Sequence, residues 1–130
     1  MQSESVSNQT FKDSASQLGI NKVHDYYGMI EQTGSIYMEC EEGYLHCSDY
    51  SDVLVRDFKT HEVCSYNEKG ILQVISLLAQ SYPGHSLLTE DTGIILGEDD
   101  CSCGRPGKYF VVHGRMKSAE VRGCSDTREI

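Results

Sequence analysis

A succession of short β-favouring runs, each closed by turn-forming residues, constrains this chain more than any other feature. Val23 to Tyr26, Ser35 to Glu39, Tyr44 to Cys47, Asp52 to Arg56, Ile71 to Leu77, Gly93 to Leu96 and Tyr109 to Val112 are separated by Gly, Asn, Asp or Pro. Glu41-Glu42-Gly43 reads as a hairpin turn and Asn67-Glu68-Lys69-Gly70 as another. Ile71 to Leu78 is also readable as helix, because periodicity does not resolve a short apolar run. The amino-terminal segment has a different period. Between Ser3 and Leu18, Phe11, Ala15 and Leu18 fall at i, i+4 and i+7, and Gly19 follows, which predicts one amphipathic helix stopped by glycine. The expected class is α+β: an N-terminal helix followed by a mainly antiparallel β-sheet or distorted barrel.

The 130 residues suit one domain, and 38% hydrophobic with 24% charged residues is a globular composition. Eleven Lys+Arg against twenty Asp+Glu give a net charge of -9, which argues against nucleic acid as a partner, since phosphate binding needs clustered cations. Apolar runs are as short as Ile94-Ile95-Leu96, so no membrane span is expected. The first ten residues show neither a positive leader nor an apolar segment, which predicts a cytoplasmic protein. In that reducing compartment the six Cys should stay free, bind metal or react.

Three segments bring together residue types suited to a nucleotide. Asp25 to Gly34 places Tyr27, Gly28 and Glu31 on one tight loop: an aromatic face, room for close backbone approach, and a hard oxygen ligand for Mg²⁺. Leu88 to Gly93 precedes a predicted strand and carries Asp91, whose carboxylate can accept from ribose hydroxyls. Arg115, in His113-Gly114-Arg115-Met116-Lys117, can neutralise phosphate. Each also has a plain reading, as turn residues and solvated surface charges.

A different constellation suits a metal. Cys101-Ser102-Cys103-Gly104 looks like a metal knuckle, and Cys40 and His46 flank the turn at Glu41-Glu42-Gly43. Two loops supplying two ligands each would make a closed tetrahedral Cys₃His zinc site. Cys47 is an alternative ligand, but it should point to the strand face opposite His46. Cys64 has no evident partner, and ordinary reduced cysteines remain the competing account.

Taken in order, Tyr27-Gly28-Met29-Ile30-Glu31-Gln32-Thr33-Gly34, Tyr82 to Gly93, Gly97 to Arg105, and Gly114-Arg115 through Gly123-Cys124-Ser125-Asp126-Thr127 resemble the C-terminal part of LuxE-type acyl-protein synthetases. These are relatives of phenylacetate-CoA ligases in the adenylate-forming superfamily, and the likeness runs from about Ser5 to Thr127. The resemblance implies ATP or AMP with Mg²⁺ as cofactor, with Tyr27 stacking on adenine, Gly28 beside it, Glu31 on Mg²⁺, Asp91 on the ribose and Arg115 on ribose or phosphate. Lys117 would belong to the hinge between large and small domains. Where relatives often have Thr this chain has Ile30, so the α-phosphate contact would move to Gln32 or Thr33.

The resemblance also implies that Cys124 is the acyl acceptor, carrying a fatty acid as a thioester after its activation to an acyl-adenylate. Residues 1-113 would then be the C-terminal segment of the large domain, and 114-130 the hinge and truncated start of the small one. The superfamily's Ser/Thr/Gly/Lys-rich phosphate loop has no counterpart here, so the isolated chain is expected to be inactive. Implied partners are an N-terminal synthetase half and an acyl-reductase. A non-catalytic, zinc-stabilised nucleotide- or protein-binding module is the alternative function. Strand edges left unpaired by a missing upstream half predict a homodimer.

Overall fold

The computed structural model describes residues 6–116. Helix α1 spans Asn8–Gln17. Ser7 caps it, its hydroxyl accepting from the Thr10 N–H at 3.1 Å. Gly19, at φ 84°, closes the other end, where Gly19 and Ile20 N–H groups bond the Ser16 and Ala15 carbonyls. Val6 therefore lies outside the helix expected from Ser3 onward. The apolar stripe is not buried either: Phe11 and Leu18 are exposed. What ties α1 to the sheet is polar. Lys12 Nζ meets Glu39 Oε2 at 2.6 Å, and Asn8 donates to Asp25 at 3.3 Å.

Seven strands follow: β1 Tyr26–Tyr27, β2 Tyr37–Glu39, β3 Leu45–His46, β4 Ser51–Arg56, β5 Lys69–Ser76, β6 Ser86–Glu98 and β7 Lys108–Arg115. A 3₁₀ turn, Ile30–Gln32, lies between β1 and β2. The strands make one sheet in the order β1-β2-β3-β7-β6-β5-β4, every pairing antiparallel. The run from Ile71 is thus strand rather than helix as far as Ser76, with β5 paired on both sides, and Leu77 and Leu78 lie beyond it. The turn expected at Asn67 to Gly70 sits earlier: Glu68 N–H bonds Ser65 O, and Lys69 and Gly70 already belong to β5.

The run Gly93 to Leu96 is the middle of a much longer strand. β6 has 13 residues, and its register shifts at Ile71/Gln73 opposite and at Thr92/Gly93 and Ile95/Gly97 along itself. Such bulges bend a strand and increase its twist, and a sheet bent this way curls. Its two ends approach each other: Tyr37 Oη in β2 donates to the Asp52 carbonyl of β4 at 3.2 Å, and Gln32 Nε2 donates to Gly84 O at 3.0 Å. The result is a half-barrel. Alternate residues line its inner face as a pleated strand requires, giving a core of Tyr37, Val53, Val55, Leu72, Val74, Ile95 and Phe110. No helix among the described residues is long and apolar enough to cross a membrane.

Candidate functional site

The curl brings β1 and the turn after it against the middle of β6 and the end of β7. There, a cleft of about 320 Å³ is lined by Met29, Glu31, Leu87, Leu88, Thr89, Glu90, Asp91 and Arg115. Tyr27 Oη donates to Asp91 Oδ2 at 2.6 Å, and Arg115 Nε lies 3.7 Å from Asp91 Oδ1. Side chains from three separate stretches of sequence thus meet at Asp91, with Glu31 on the same cleft. Asp91 and Arg115 are register partners across β6 and β7, so the sheet itself sets their spacing.

Asp91 is not at a strand entrance, as its sequence position suggested, but well inside β6. Its backbone N–H bonds Thr89 Oγ1 at 3.1 Å, and that hydroxyl donates to Leu72 O at 2.8 Å. Thr89 is a positioning residue that sequence reasoning missed, although the Thr-x-Asp spacing carried the signal. Tyr27 is in β1 rather than on a free loop. Its ring packs edge-on to Phe110, with centroids 6.3 Å apart, and tilted against Tyr37 at 6.0 Å. Burial, then the hydrogen bond to Asp91, raises the phenol's pKa, so this proton stays on oxygen. The side chain therefore orients Asp91 and packs the core. Gly28 does not line the cleft, and a Cβ there would make only ordinary contact with Ser35 O.

Two expectations for the α-phosphate fail. Gln32 is buried, with its amide spent on the Val74 and Gly84 carbonyls that tie the ends of the sheet together. Thr33 turns its hydroxyl back onto Ile30 O at 2.8 Å, closing the 3₁₀ turn. Neither lines the cleft. Lys117 and Cys124 lie outside the described residues.

The second cluster is at the other end of β7, beside Tyr109. Cys40, His46, Cys101 and Cys103 offer ligand atoms all within 4.8 Å of one another, a set that could hold a metal ion. Cys40 and His46 come from either side of the Glu41-Glu42-Gly43 turn, which forms as expected, with Cys40 N–H bonding Tyr44 O at 2.8 Å. Cys101 and Cys103 come from the β6–β7 connection. His46 stacks on Tyr109, its register partner, and points Nε2 to 3.4 Å from Cys103 Sγ. Burial, then the Arg105 charge, lowers the His46 pKa, which favours the neutral, ligating imidazole. Burial would raise the Cys40 thiol, but the Tyr44 and Glu42 N–H groups and the neighbouring thiols bring it below its ordinary value. Cys47 stands apart, packed against the core, where burial and then Asp52 push its thiol up to about 12.

Solved structures show what kind of protein has such a sheet. The chain aligns with the ATP-bound RpMatB-BxBclM chimera B3 (TM-score 0.51, 17% identity, 72% of this chain and 20% of that one). It also aligns with the luciferase-like enzyme of the nonluminescent mealworm Zophobas morio (TM-score 0.57, 18% identity, 85% of this chain and 30% of that one). The half-barrel is thus part of the adenylate-forming fold, and this chain spans less than a third of either neighbour. The family Acyl-protein synthetase, LuxE, matches residues 1–129, and the chain belongs to that family. No curated protein matches it.

Proposed function

We propose that this chain is the adenosine-facing and acyl-accepting part of an acyl-protein synthetase. The observation that carries the reading is the meeting of Tyr27 and Arg115 at Asp91, which lines a cleft together with Arg115 and Glu31. In the complete enzyme a fatty acid carboxylate oxygen attacks the α-phosphorus of ATP, and pyrophosphate leaves. The Cys124 thiolate then attacks the acyl carbon of the adenylate, the C–O bond breaks, and AMP leaves behind a thioester.

Asp91, held by Tyr27 and Arg115, presents fixed oxygens to the ribose hydroxyls. Glu31, Glu90 and Asp91 outnumber Arg115 on the cleft wall, so a bare triphosphate would be repelled. Bound Mg²⁺ would supply the compensating charge, with Glu31 as its protein ligand. Lys117 serves as hinge in this reading, with residues 1-113 in the large domain and 114-130 forming the hinge and truncated start of the small one. Gly114, at φ 113° near the end of β7, suits such a junction. The cysteine–histidine cluster has a structural role, because four protein donors around zinc leave no open position for substrate.

The test combines the chain with an N-terminal half carrying the phosphate loop, then adds ATP, Mg²⁺ and labelled tetradecanoic acid. Hydroxylamine-sensitive label should appear on this chain only when both halves are present, and Cys124→Ser should abolish it. Asp91→Asn should weaken nucleotide affinity about 10- to 100-fold, the worth of a charged hydrogen bond. Label persisting on the Cys124→Ser chain would exclude that acceptor. A complemented pair that binds nucleotide but never labels would favour the non-catalytic module instead.

A further inference from the structure

The half-barrel is joined unevenly. β4, β5, β6 and β7 pair over long stretches, as from Ser51↔Ser76 to Arg56↔Ile71, whereas β3 joins β7 through two register pairs, Leu45↔Phe110 and His46↔Tyr109, and one flanking bond from Cys47 N–H to Lys108 O. The strand pairing of the β1–β2–β3 side to the rest of the sheet runs across this narrow seam, while side-chain bonds such as Tyr27 to Asp91 and Tyr37 to the Asp52 carbonyl close the curl from the other direction. The four-residue cluster straddles it, with Cys40 and His46 on the short-stranded side and Cys101 and Cys103 on the β6–β7 connection.

The two loops that meet there are built alike. In each, a Cys carbonyl accepts from the N–H of a Gly three residues on: Cys40 O from Gly43 and Cys101 O from Gly104, both at 3.0 Å. Both glycines take the same left-handed φ of 84°, which a residue with a Cβ adopts with strain. In each turn backbone N–H groups aim at sulfur: Arg105 N–H donates to Cys103 Sγ at 3.4 Å, and Glu42 and Tyr44 N–H groups face Cys40 Sγ. Such donors suit thiolates held by a metal, spreading negative charge that burial would otherwise penalise. Zinc–sulfur bonds of 2.3 Å and zinc–nitrogen bonds near 2.0 Å set tetrahedral S···N separations of about 3.5 Å. The Cys103 Sγ···His46 Nε2 separation is 3.4 Å.

We infer that one zinc ion, held by Cys40, His46, Cys101 and Cys103, is the clasp that locks the β3–β7 seam, and so fixes where the Tyr27 side of the half-barrel sits against Asp91. This deepens the structural-zinc reading above and requires no nucleotide chemistry, so it stands or falls separately from the acyl-transfer proposal. Three thiolates and Zn²⁺ leave one net negative charge beside the Arg105 guanidinium.

The experiment uses the full chain purified under reducing conditions. Elemental analysis should give one zinc per chain, and cobalt substitution should give the visible absorption of tetrahedral thiolate coordination. Zinc is then removed with a chelator, and amide hydrogen exchange is followed residue by residue. Exchange should quicken at least tenfold at Leu45 to Cys47, Tyr109 and Phe110, and at Tyr26 and Tyr27 beyond, while β4 to β6 keep their protection; added zinc should reverse it. A reduced, folded chain that holds neither zinc nor cobalt would overturn the inference. So would zinc removal that leaves the seam unchanged, or that loosens β4 to β6 equally. His46→Cys keeps four donors and should retain cobalt with altered absorption, whereas an unaltered spectrum would exclude His46 as a ligand.

Discussion

Glu39 illustrates how much one side chain can integrate. It is 5% exposed, and it receives both the Lys12 ammonium from α1 and the Asp25 N–H, at 2.6 Å each. Burial acts to raise its pKa, but the Lys12 and Asp25 hydrogen bonds outweigh that and hold the carboxyl below its ordinary value. A carboxyl with a depressed folded pKa contributes stability that is present above the unfolded value of about 4.3 and is lost as pH falls through the folded value. Glu39→Gln should therefore be less stable than the parent at neutral pH, and the gap should close on acidification below about pH 4. Urea midpoints across that range measure it, and a constant gap would contradict it. Tyr27 carries the contrary lesson about legibility: its sequence motif singled it out, but did not reveal that its ring packs on Phe110 while its hydroxyl grips Asp91. Gln32 was misread for the same reason, because the distant Gly84 carbonyl claims its amide, whereas Thr33 is claimed locally by Ile30 O.

At the scale of elements, β6 does most to build the cleft. Gly93 lies at the register shift where β6 crosses β7, and a Cβ there would collide with Val111 O and come within 2.9 Å of Leu72 Cδ2. Backbone cannot yield as a flexible side chain can. Gly93→Ala is expected to cost about 1–3 kcal/mol, as overpacking typically does. Because Asp91 and Thr92 pair with Arg115 and Gly114 beside the same bulge, nucleotide affinity should fall with it. An unshifted urea midpoint would show that the strand accommodates the methyl. The sequence revealed the centre of β6 but not its length, since Ser86 to Thr92 alternates too weakly to be told from a loop before a strand. Helix α1 was legible through its spacing and closing glycine, yet its exposed Phe11 shows that periodicity does not say whether a stripe is covered.

For the molecule as a whole, the sheet is open, ending in β1 and β4. β1 is two residues long, and part of the β4 edge is already engaged, with Cys64 N–H bonding Val55 O and Val63 bridging Arg56. The homodimer proposed for this chain must therefore pair along what remains of these edges, against the repulsion of two chains of charge -9. Light scattering should return twice the 14.5 kDa chain mass, with the dimer strengthening as salt screens the repulsion. A constant 14.5 kDa at all concentrations would refute pairing.

The sequence by itself determined the local matters: short strands between turns, a helix stopped by glycine, the hairpin turn and Cys-x-Cys knuckle that carry the cysteines, and the motifs that identify a LuxE acyl-protein synthetase family member. Backbone propensity and spacing suffice for these, since each is decided within a few residues. The tertiary structure alone decided which carboxylate Tyr27 holds, that Gln32 serves the fold, and that the cysteine–histidine set expected from the sequence straddles the β3–β7 seam. Those outcomes depend on the register of β6 against β7 and on the bulges that curl the sheet, which bring together residues more than fifty positions apart.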